Sequence, residues 1–151
     1  MYMKTYSVGI AGYGFIGKVH TYAYRVIPLY YEDLPAIIKV VGIVDEFEQA
    51  RKKAVQQAGF EFATSDFREL LKKEDIHIVN CCLPNHLHYE FIKTALLEGK
   101  HVCTDKPLAL NYEQAQELAE LAKKTTVKAH VIFQLRFFPA VMRAKQLIDE
   151  G

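Results

Sequence analysis

No apolar run in the chain is long enough to cross a bilayer. The first residues lack a signal-peptide layout, because the run that begins at Val8 is soon broken by glycines. Clustered charge is missing too. The 19 Lys and Arg are mixed with 18 Asp and Glu for a net charge of +1, which leaves no basic patch for nucleic acid or an anionic membrane. Cysteine is scarce and odd in number. Cys81, Cys82 and Cys103 lie in apolar, strand-like runs, a pattern that suits buried thiols in a reducing compartment better than a disulfide framework. There is no internal repeat and no low-complexity segment, and 50% hydrophobic content argues against disorder. These absences leave a soluble cytoplasmic protein as the expectation. The 151 residues fit one domain with a single core, which would bury roughly 70% of the unfolded surface.

What is present centres on Val8-Gly9-Ile10-Ala11-Gly12-Tyr13-Gly14-Phe15-Ile16-Gly17. A short apolar run ends in Gly-x-Gly-x-x-Gly and a helical pattern follows. Gly12 permits a tight turn out of a strand, Gly14 lets a diphosphate approach the backbone, and Gly17 lets the helix pack close to the strand. The helix N-terminus then offers N–H groups and a partial positive charge to the phosphates. The expected cofactor-binding turn is therefore Gly12, Tyr13, Gly14, Phe15, Ile16 and Gly17. Alone the motif is a weak signal; its weight depends on a strand before, a helix after and an acid ending the next strand.

The rest of the chain alternates strands and helices. Tyr6 to Ala11 reads as the first strand and about Phe15 to Val26 as the first helix, followed by an irregular insert between Pro28 and Pro35. Ile37 to Val44 is a nearly continuous apolar strand of the kind buried on both faces of a parallel sheet. Glu48 to Ala58 is helical with Gly59 as C-cap, Glu61 to Ala63 a short strand, and Ser65 or Asp66 caps a brief helix. Ile76 to Leu83 and His101 to Thr104 are further strands, separated by a helix over His86 to Leu97. Asn111 with Gln114 opens an amphipathic helix, Lys128 to Leu135 is a last strand, and Pro139 starts a last helix. This order predicts an α/β fold: a doubly wound parallel sheet of Rossmann type in a single domain.

Asp45 closes the second strand, where a carboxylate accepts from adenosine ribose hydroxyls and repels a 2′-phosphate. It lies 28 residues beyond Gly17, where about 20 is usual, and the insert accounts for the excess. Asp45 favours NAD over NADP, and Glu46 is the alternative ribose ligand.

The second half carries three more motifs: Leu83-Pro84-Asn85-His86-Leu87-His88, Asp105-Lys106-Pro107 and Arg136-Phe137-Phe138-Pro139. With Gly12-x-Gly14-x-x-Gly17-x-x-His20, their order and spacing resemble the N-terminal domain of the glucose–fructose oxidoreductase, inositol 2-dehydrogenase and rhizopine-catabolism family (Gfo/Idh/MocA) over essentially the whole chain. The resemblance implies an NAD-dependent dehydrogenase that moves a hydride between nicotinamide and a sugar, inositol or similar polyol. It implies that Lys106, in the family's Glu-Lys-Pro motif, is the catalytic residue. An ammonium there would stabilise charge developing on the alcohol oxygen and relay its proton. Asp105 replaces the family's Glu and is one methylene shorter. Leu83, Pro84 and Asn85 fall in the loop that lines the cofactor. His88 is counted with them, although its place also fits packing at a helix N-terminus, and His20 fits packing on the first helix. Arg136 is open between cofactor, substrate and the domain junction.

Members of this family have a second domain with its own histidine proton acceptor, which closes the substrate pocket and usually forms the oligomer interface. Residues 128–151 are expected to lead towards it, and the chain alone is expected to bind cofactor without turnover. The other reading is a sensor or regulatory module that uses the bound dinucleotide. No metal site is expected: Cys81 and Cys82 are adjacent on a strand and point to opposite faces, and the spacing of a zinc site is missing.

Overall fold

The computed structural model describes residues 3–151. The elements are β1 (Lys4–Ala11), α1 (Phe15–Tyr30), β2 (Ala36–Val44), α2 (Glu48–Ala58), β3 (Phe62–Thr64), α3 (Phe67–Leu71), β4 (Ile78–Cys81), α4 (His88–Leu97), β5 (His101–Asp105), α5 (Tyr112–Lys124), β6 (Ala129–Ile132) and α6 (Pro139–Glu150). Single 3-10 turns occupy Asn85–Leu87 and Gln134–Phe137. The six strands form one parallel sheet in the order β3-β2-β1-β4-β5-β6. Strand order reverses between β1 and β4, so the crevice of a doubly wound sheet opens above the carboxyl ends of these two strands.

Alternation along the strands divides the core into two clusters. Val8, Ile10 and Ile43 join Ala54 and Phe60 in one; Ala11, Val44 and Val79 join Leu70, Phe91, Ile92 and Leu118 in the other. The carboxyl halves of β1 and β2 are buried outright, while their amino halves are partly exposed. The register between these strands slips at Val8/Gly9, where Val41 is the extra residue. Here Leu70, 0% exposed, fills a hollow over two glycines. A Cβ on Gly9 would stand 2.8 Å from a Leu70 methyl, and one on Gly42 2.6 Å from the other.

Helix ends follow the chemistry of their caps. Asp66 accepts from the Arg68 N–H at 2.9 Å to start α3, and Asn111 accepts from the Gln114 N–H at 2.9 Å to start α5. Gly59 ends α2 in the left-handed region.

Most boundaries shift by one or two residues, and three elements differ more. α1 continues through Pro28 to Tyr30, so the irregular insert shrinks to 31–35. Pro28 sits in the last turn and forfeits a single helical bond, while the Tyr31 N–H still reaches the Ile27 carbonyl at 3.1 Å. The long spacing to Asp45 is thus shared between the longer helix and residues 31–35. β4 is shorter than Ile76–Leu83, because Ile76 closes a turn onto the Lys73 carbonyl and Pro84 lacks an N–H. β6 ends at Ile132, and Leu135 belongs to the following 3-10 turn.

Candidate functional site

The turn between β1 and α1 is held from three sides. The Gly12 N–H donates to the Val44 carbonyl at 2.7 Å. Gly12 has φ of 92°, and a Cβ there would lie 2.5 Å from the Cys82 carbonyl oxygen. A Cβ on Gly17 would lie 1.9 Å from the Gly12 carbonyl oxygen. Neither position tolerates a side chain. Gly14 differs: nothing stands within 4 Å of where its Cβ would be. Gly14 also caps α1, and no side chain satisfies the first N–H groups of that 16-residue helix. An open approach beside unsatisfied donors and the positive end of a helix is the environment a diphosphate requires.

Asp45 is fastened from the same side. One carboxylate oxygen accepts from the Tyr13 N–H at 2.8 Å and the other from the Phe47 N–H at 2.9 Å. The side chain is 9% exposed and borders a cavity of about 520 Å³. Each oxygen keeps further accepting capacity for a ribose diol. Arg51 donates to the carbonyls of Asp45 and Glu46 at 2.7 and 2.9 Å. That guanidinium is therefore spent on the backbone beneath the acid. The residues present fit an unphosphorylated adenosine ribose.

Gly12, Tyr13, Gly14, Phe15 and Ile16 line the cavity with Asp45, Glu46, Leu83 and Pro84. Gly17 lies just behind, against Gly12. The Tyr13 ring turns away into the core, edge-on to Phe60 at 5.6 Å, and burial pushes its phenol pKa up. Phe15 stands 80% exposed at the mouth. The opposite wall, not anticipated from sequence, consists of Phe47, Ser65, Phe67, Leu87 and Glu90. Glu90 pairs with Arg68 at 2.7 Å across the rim. Phe67 reaches the cavity because β3 lies beside β2; Leu87 and Glu90 share one face at the start of α4.

The other expected residues sit along the same edge of the sheet, outside that cavity lining. Asn85 is exposed in its 3-10 turn. Asp105 ends β5 and accepts from the Lys106 N–H at 2.8 Å. Lys106 is exposed in the turn that follows, joined to Pro107 by a cis peptide bond. The register Cys81↔Thr104 places this turn beside the one after β4. Arg136 lies past β6, exposed in a 3-10 turn rather than at the strand end. His88 departs from the expected cofactor contact. It is 1% exposed, with its ring nitrogens 2.7 Å from the Pro107 carbonyl and 2.8 Å from the Leu83 carbonyl. As the first residue of α4 it has its ring turned inward, with one nitrogen facing each of two carbonyls. His20 packs between α1 and β4, its Nδ1 2.7 Å from Asn80 Nδ2.

Burial pushes the Cys81 thiol up to about 12, and also raises Cys82 and Cys103. These thiols are poor nucleophiles and poor ligands. Among the described residues, no three His, Cys, Asp or Glu side chains converge on one point.

An uncapped helix N-terminus, a glycine cradle and a pinned acid at the switch point of a parallel sheet define a dinucleotide-binding α/β domain. The profile of the oxidoreductase family, NAD-binding Rossmann fold (Gfo/Idh/MocA), matches residues 6–133, and the chain belongs to that family. It is 36% identical to levoglucosan dehydrogenase of Pseudarthrobacter phenanthrenivorans over 99% of this chain and 38% of that protein. Against inositol 2-dehydrogenase/D-chiro-inositol 3-dehydrogenase of Lactiplantibacillus plantarum, identity is 30% over 95% of this chain and 40% of the relative. Among solved structures, levoglucosan dehydrogenase in complex with NADH and levoglucosan superposes with a TM-score of 0.91 at 36% identity, over 98% of this chain and 40% of that one. An NAD-binding oxidoreductase from Klebsiella pneumoniae gives 0.89 at 37% identity, over 97% and 39%. The chain thus spans about two fifths of the length of the relatives it matches. Among the described residues no helix is long and apolar enough to cross a membrane.

Proposed function

We propose that this chain binds NAD(H) across the β1–β4 crevice and forms the nucleotide-binding half of a dehydrogenase for a cyclic sugar or polyol. The observation that carries the reading is Asp45. Its carboxylate is held by two backbone N–H groups at the cavity edge, with Gly14 open beside it. In this reading the α1 N-terminus holds the diphosphate, Asp45 the adenosine ribose, Leu83 and Pro84 the wall between them, and Asp105 the second ribose. The nicotinamide, when bound, supplies a hydride acceptor.

Lys106 acts on the substrate oxygen. As hydride leaves the carbinol carbon, the hydroxyl proton must leave as well. The neutral Lys106 amine would take that proton, and the ammonium so formed would stabilise negative charge remaining on the oxygen before passing the proton to solvent. Arg136 and residues 128–151 adjoin the remainder of a longer polypeptide. Support comes from the apolar side chains Phe133, Leu135, Phe137, Phe138, Val141 and Met142, all exposed around β6 and α6. The relatives' names point to levoglucosan and inositols, hence to ring hydroxyls as the substrate class.

Calorimetric titration with NADH and, in parallel, NADPH tests the cofactor assignment. NADH should bind more tightly, and Asp45→Arg should abolish that preference. Equal or tighter NADPH binding by the unmodified chain would overturn it.

A further inference from the structure

We propose that His88 is a positioning residue that straps the Lys106 turn to the wall of the cofactor cavity. The proposal rests on the reading of Lys106 given above. β4 and β5 are joined by their ladder as far as Cys81↔Thr104. Beyond that point the two connections diverge, one through Leu83 and the other through Asp105, Lys106 and Pro107. The His88 ring lies between them, 1% exposed, at 2.8 Å from the Leu83 carbonyl and 2.7 Å from the Pro107 carbonyl. Leu83 borders the cavity and Pro107 follows Lys106 directly.

The Lys106 turn has little else of this kind. Among the hydrogen bonds of the described residues, those of Lys106 to Ala109 are two: the Lys106 N–H to Asp105 at 2.8 Å, and Pro107 to His88. The first is internal to the turn and fixes nothing relative to β4. The side chains of Leu108 and Ala109 do pack against the core, but apolar contact is non-directional. A hydrogen bond from a ring anchored at the start of α4 sets the angle at which the turn leaves β5. It therefore sets the place of the Lys106 ammonium relative to the cavity that Leu83 borders. Displacement of about 1 Å at such a group costs on the order of a hundredfold in rate.

Hydrogen-exchange NMR on the 151-residue chain tests the strap. His88→Phe keeps a ring and removes both ring nitrogens, so neither the Leu83 nor the Pro107 carbonyl keeps its partner; His88→Gln keeps a donor. Exchange at the Lys106 amide, bonded to Asp105, should rise about tenfold in His88→Phe and be restored at least in part in His88→Gln. The Val79 amide in β4 should change by less than about twofold. Parallel rises at Val79 and Lys106 would make His88 a general core residue, and no rise at Lys106 would remove the strap; either overturns the proposal. Should His88→Phe fail to fold, the unmodified chain decides. A 15N-histidine spectrum should contain a His88 ring N–H protected from solvent exchange, and its absence overturns the proposal. NADH titration of the same samples keeps the two readings apart. Loss of NADH binding in the unmodified chain sinks the dehydrogenase reading, whereas the exchange pattern alone sinks or supports the strap.

Discussion

The two ends of the crevice are built differently. At the Asp45 end the elements are fixed by the chain itself. Gly12 is wedged against the Cys82 carbonyl, Gly17 against Gly12, Asp45 holds two N–H groups, and Arg51 ties down the carbonyls beneath it. At the other end, Lys106 and Arg136 stand exposed on short turns, and no side chain of α6 is buried. One end is closed by this chain's own contacts; the other leaves its charged groups facing solvent. On the proposed reading, nucleotide recognition needs only the first, while enclosure of a substrate beside Lys106 needs a surface opposite it.

The largest effect that would break this contrast is at Gly17. Gly17→Val should cost roughly 3 kcal/mol or more, because its Cβ meets backbone rather than a movable side chain. A thermal melt within a few degrees of the unmodified chain would show that the turn is looser than its geometry implies. Asp45→Ala comes next. It strands two N–H groups, so it should cost about 2 kcal/mol in urea unfolding and weaken NADH about a hundredfold by titration. A control lies at the amino edge of the sheet, away from the crevice. There Lys100 donates to the carbonyls of Lys73 and Ile76 at 2.7 and 2.8 Å, and burial lowers its pKa below the ordinary 10.5. Lys100→Met should cost about 1–2 kcal/mol and leave NADH affinity unchanged. The unfolded chain holds the Lys100 proton to higher pH than the folded one. The unmodified chain should therefore gain stability over Lys100→Met as pH rises towards 10.5, measured by urea midpoints. The smallest effect belongs to Lys106→Ala, which should leave the melting temperature within about 2 °C and NADH affinity within about twofold. A large loss of either would erase the proposed division between the two ends.

Most of the fold was legible because parallel strands buried on both faces announce themselves as apolar runs, and because glycine spacing and the acid after β2 are local in sequence. What stayed hidden was set by tertiary contact. Pro28 reads as a breaker, yet in a last turn it removes only one bond. The strand ends at Cys81 and Ile132 fall where the neighbouring β1 and β5 stop. The cavity wall of Phe67 and Leu87 follows from strand order, which no single segment carries. His88 fits a motif, but its ring direction is decided by two carbonyls, one of them 19 positions away.

The hollow that Leu70 fills over Gly9 and Gly42 constrains how such a sequence can drift. A methyl at either glycine collides with the same leucine from a different strand. Three positions spread over β1, β2 and α3 therefore share one volume, and enlarging either glycine requires the Leu70 side chain to shift or shrink. Changes at the three sites are coupled: a smaller residue 70 leaves a void that a methyl at either glycine fills. Ancestry written at one of these sites should be readable from the other two.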